Sequence, residues 1–159
     1  MKYLKSYNES IDNKLLELKE FCESNLAYLV DDGFEVVVSS KLSDFSKDTN
    51  LLYINIKKNS NTNFINGLFK WDDISDDFIP FYHILSSKCD ILETYLLCDT
   101  SSGRLNQPKV VITSDDILED KVNDKIDDIK FYFNKKIVNT THIHNVIVKI
   151  DKDEIFKKI

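Results

Sequence analysis

Arginine is almost missing from this chain of 159 residues: Arg104 stands alone in a basic complement that is otherwise lysine. Two-pronged recognition of phosphates or guanine edges is therefore poorly supplied. A formal net charge of -6 also denies the chain the basic face of a general nucleic-acid binder. No direct nucleic-acid binding is expected. Glycine is scarce too, with 3 residues, and the stretch Ser101-Ser102-Gly103-Arg104 lacks the Lys-Ser/Thr ending and the strand-to-helix setting of a phosphate-binding loop. The 3 cysteines, Cys22, Cys89 and Cys98, form no C-x-x-C pair, and an odd number forbids complete internal pairing. Reduced thiols in a cytosol are the expectation. No apolar run approaches the roughly 20 residues of a spanning helix, and Met1–Ser6 carries no signal-peptide h-region, so neither a membrane nor secretion is expected. Without export, the glycosylation sequons at Asn8 and Asn139 carry no weight.

What is present reads as an ordinary globular domain. Hydrophobic residues make up 42% and charged residues 30%, which separates the chain from disordered ones. Its length suits one domain over 1–159 that buries roughly two-thirds of its unfolded surface, with about 151–159 as a charged tail. Asn, Lys and Ile abound while Ala27 is the lone alanine; the codons of that abundant set point to an AT-rich genome.

Periodicity lays out the elements. Ser10 is a suitable N-cap for a helix to about Asp32, with Ile11, Leu15, Leu18, Cys22, Leu26 and Leu29 at three- and four-residue steps. Gly33 supplies a left-handed stop. A strand over 34–39 turns Phe34, Val36 and Val38 inward, and a second over 51–57 groups Leu52, Ile54 and Ile56. The polar run 58–63 reads as a turn or loop.

The stretch from Phe69 to Leu85 organises the core. Wound at about 100° per residue, it gathers Trp71, Ile74, Phe78, Phe81, Tyr82 and Leu85 on one face and Asp72, Asp73, Asp76, His83 and Ser87 on the other. Pro80 sits inside it and predicts a kink or a fresh helical start. Strands follow at 91–98 and 109–113, flanking the loop that holds Arg104. A third helix is expected from Ser114 or Asp115 to about Asn134, burying Leu118, Val122, Ile126, Ile129 and Phe133, and a final strand from His142 to Ile150. The order αββαββαβ, with hairpin pairs between helices, predicts a single α+β domain: an antiparallel-dominated sheet with helices packed on one face.

Chemistry-bearing residues are few. His142 and His144 alternate on a strand, so both imidazoles could converge on a metal. The same parity sets them beside Val146, Val148 and Ile150, at the wetter end of a core strand. Asp116, Asp120, Asp124 and Asp127 form an acidic stripe whose carboxylates lie about 5–6 Å apart, near phosphate spacing; it could occupy a basic host site or be a solvated face. Asp72, Asp73, Asp76 and Asp77 lack a calcium loop's spacing and central glycine, and acid at a helix N-terminus is electrostatically favoured. Arg104, central in its loop, is a candidate contact residue. No cofactor fingerprint and no nucleophile elbow occur, so neither a catalytic residue nor a cofactor is assigned.

Asn25-Leu26-Ala27-Tyr28-Leu29-Val30-Asp31-Asp32-Gly33-Phe34-Glu35-Val36, followed by Phe69-Lys70-Trp71-Asp72-Asp73-Ile74 and Phe78-Ile79-Pro80-Phe81, resembles small uncharacterised proteins of tailed bacteriophages with AT-rich genomes. The resemblance covers the first half of the chain. It implies a phage source, host cytoplasm or virion as the location, and an αββα opening unit; it transfers no functional residue. The expected function is a non-enzymatic protein acting through contacts with a viral or host protein, as a virion or assembly component or a host-directed accessory factor. The alternatives are a small metal-dependent hydrolase using His142 and His144, and an acidic-face inhibitor of a host nucleic-acid enzyme.

Overall fold

A computed structural model describes residues 2–40, 51–59, 67–98, 109–113, 126–137 and 142–152, with the backbone alone for 2–12, 109–113 and 126–128. In chain order the elements are α1 (Lys2–Asn25), α2 (Ala27–Asp31), β1 (Phe34–Ser39), β2 (Leu51–Lys58), α3 (Trp71–Lys88), β3 (Ile91–Cys98), β4 (Lys109–Thr113), α4 (Ile126–Lys136) and β5 (Ile143–Asp151). The strands form one antiparallel sheet in the order β1-β2-β5-β3-β4. The α+β class and the element order agree with the sequence, with the first helix in two pieces. Among the described residues no helix is long and apolar enough to cross a membrane.

Helix α1 starts eight residues before the expected Ser10 cap, at Lys2. The residues from Lys2 to Glu9 include no Gly or Pro, so nothing in the backbone chemistry stops the helix from propagating through Ser10. The helix is interrupted instead at Leu26, whose φ of -118 and ψ of 20 leave the helical region although its N–H still donates to the Cys22 carbonyl at 2.8 Å. The Asn25 side-chain amide donates to the Phe21 carbonyl at 2.8 Å just before the break. Gly33 then takes φ +93, a left-handed conformation that a Cβ would strain, and turns the chain into β1.

The core lies between the helices and one sheet face. Phe34, Val38, Leu52, Ile54, Ile56, Leu96, Val146, Val148 and Ile150 point into it from the strands, as the period of two demands. From the helices come Leu18, Cys22 and Leu29, the α3 stripe, and Ile129, Tyr132 and Phe133 of α4. The opposite sheet face carries a smaller buried cluster of Leu51, Tyr53, Tyr95 and Ile147.

Helix α3 is the centre of that core. All six residues of its predicted apolar face are buried, and Ser75 and Ile79 are buried with them. Phe78 has no exposed surface and meets the rings of Trp71, Phe81, Tyr82 and Phe133 at 5.6–6.0 Å. At the N-terminus Asp73 accepts the Lys70 backbone N–H at 2.9 Å and returns its own N–H to the Lys70 carbonyl at 3.0 Å. This gives one of the four aspartates a structural task.

The helix runs through Pro80, so of the two expected outcomes, a kink or a fresh helical start, the fresh start does not occur. The carbonyl freed by the proline belongs to Asp76, which lies on the exposed face where water can satisfy it. His83 was expected in water and is half-buried, because burial of Ile79 widens the packed stripe around the helix.

Between β2 and α3 the chain returns along the sheet end. Gly67 donates to the Lys58 carbonyl at 3.0 Å, and a Cβ there would meet the Lys58 side chain at 3.2 Å. Phe69 exchanges both backbone bonds with Ile143, at 3.1 and 2.7 Å. Helix α4 ends at Lys136, just past the expected Asn134; its expected start at Ser114 or Asp115, with Leu118 and Val122, lies outside the described residues, as does the tail beyond Lys152.

Candidate functional site

Among the described residues β1 lies at one edge of the sheet. Its register with β2 is unbroken from Phe34↔Lys58 to Ser39↔Tyr53. Just before it, the Asn59 N–H donates to the Gly33 carbonyl at 3.0 Å, which makes 33/59 a hydrogen-bonded pair. Antiparallel ladders alternate bonded and non-bonded pairs. Glu35, Val37 and Ser39 therefore bond inward to β2, and Phe34, Val36 and Val38 direct their N–H and C=O groups away from the sheet. Among the described residues β2 is the only strand that pairs with β1.

Along this edge runs a groove of about 510 Å³. Lys19 and Glu23 of α1 and Val30 of α2 form its helical wall, and Val36, Val37 and Val38 its strand wall. Val36 and Val37 are half-buried, while Val30 is 49% exposed, an apolar side chain held in water at the groove rim. Charge is sparse along the strand: Glu35 is its single ionic residue and pairs with Lys57 at 3.8 Å. The Lys58 ammonium lies 5.6 Å from the centre of the Phe34 ring.

Cys22 also lines the groove. Burial, then the neighbouring Cys89 and Glu23, push its thiol up to about 12, which favours the protonated form. All three cysteines are free and buried. What the groove offers is backbone hydrogen-bonding capacity beside valine side chains.

The histidine pair does not sit as strand parity predicts. At the end of β5 the register with β3 slips, from Leu97↔Asn145 to Cys98↔Ile143. The extra residue, His144, is a bulge that reverses the alternation. Ile143 is thereby turned into the core with no exposed surface, His142 is exposed and His144 half-buried. The alternation counted from Val146, Val148 and Ile150 therefore does not carry through to His142. Among the described residues no group of three or more His, Cys, Asp or Glu is arranged to hold a metal ion. Arg104 and the side chains of Asp116, Asp120, Asp124 and Asp127 lie outside the described residues.

Side-chain period marks β1 as a strand but not as an edge. Three consecutive valines with no lysine or proline among them make an unguarded strand. Comparison of the chain with protein-family models, with curated proteins and with solved structures gives no match.

Proposed function

We propose that this chain is a non-enzymatic bacteriophage protein that acts through protein-protein contacts, as a virion or assembly component or a host-directed accessory factor. The observation that carries the contact reading is the β1 edge: outward backbone groups at Phe34, Val36 and Val38 beside a groove walled by valines. An extended segment of another protein chain satisfies those groups by adding as a further strand, and alternate side chains of that segment enter the groove. The phage assignment rests on the resemblance of the first half of the chain alone.

Val36→Pro tests the reading, because it deletes an outward N–H while leaving the β1–β2 ladder its donors. Affinity capture from infected-cell lysate and from disrupted virions, compared between wild type and this variant, should show a partner lost with the N–H. Capture unchanged by Val36→Pro overturns the reading. So does turnover by the isolated protein that a single substitution abolishes.

A further inference from the structure

We draw no further inference here: the strongest candidate, the cluster of Leu51, Tyr53, Tyr95 and Ile147 on the sheet face turned away from the helices, is an apolar face for which nothing in the structure shows what covers it.

Discussion

The indole N–H of Trp71 donates to the side-chain oxygen of Asn134 at 2.7 Å. This bond ties the first residue of α3 to the last turn of α4, and the stacking of Trp71 on Phe133, 5.6 Å between centroids at 15°, lies beside it. Trp71 has no exposed surface, so its single donor needs a protein partner or an admitted water. Asn134→Ala should cost about 1–3 kcal/mol, the range for stranding a buried donor, and should shift the emission of this lone tryptophan. Asn134→Asp keeps an acceptor in place and should retain most of the stability. In a Trp71→Phe background, Asn134→Ala should cost much less. A double-mutant cycle by chemical denaturation, followed by circular dichroism, measures the coupling.

Phe78 is the packing centre of α3, in contact with four other rings. Phe78→Ala should destabilise by about 3–5 kcal/mol, a large part of the total for a domain of this size. His83, half-buried on the flank of the same helix, should cost about 1 kcal/mol or less as alanine. The bond from the Ser86 hydroxyl reaches the His83 carbonyl, not the imidazole, and survives the change. Urea midpoints of the two variants should differ clearly, with Phe78→Ala the lower.

Pro80 lies inside a helix that continues past it. Pro80→Ala restores an N–H for the Asp76 carbonyl and removes the ring from the preceding turn, so it should be neutral or stabilising, by up to about 3 kcal/mol. A drop in the thermal midpoint would instead mean that the ring's restriction of the unfolded chain outweighs the missing bond.

Asp77 sets the sign of a pH dependence. Burial, then the nearby carboxylates of Asp32 and Asp76, raise it above its ordinary 3.8. The folded chain therefore holds this proton more tightly than the unfolded chain does. Stability from this group is complete below the unfolded value and is lost as pH rises through the folded one. Asp77→Asn should raise the thermal midpoint at about pH 7 and change it little at about pH 3. The effect is small because the group is mostly solvated. Melting curves of wild type and variant over this pH range should diverge upward.

The sequence by itself determined whatever depends on neighbours a few residues apart. The α3 face from Trp71 to Leu85, the inward set Phe34, Val36 and Val38, the grouping of Leu52, Ile54 and Ile56, and the left-handed turn at Gly33 all follow from side-chain period and backbone sterics, which act locally. Tertiary structure decided the rest. β5 inserts between β2 and β3, with Asn55 opposite Ile147 and Tyr95 opposite the same residue. Pairing across such separations in the chain leaves no mark in local periodicity. The bulge at His144 in the pairing with β3 overrides strand parity there and turns Ile143 into the core. The insertion of β5 also fixes which strand is left at the edge. The valines of β1 are readable as a strand in any position; only the strand order leaves Phe34, Val36 and Val38 with their backbone groups turned outward, because an edge belongs to the sheet and not to the strand.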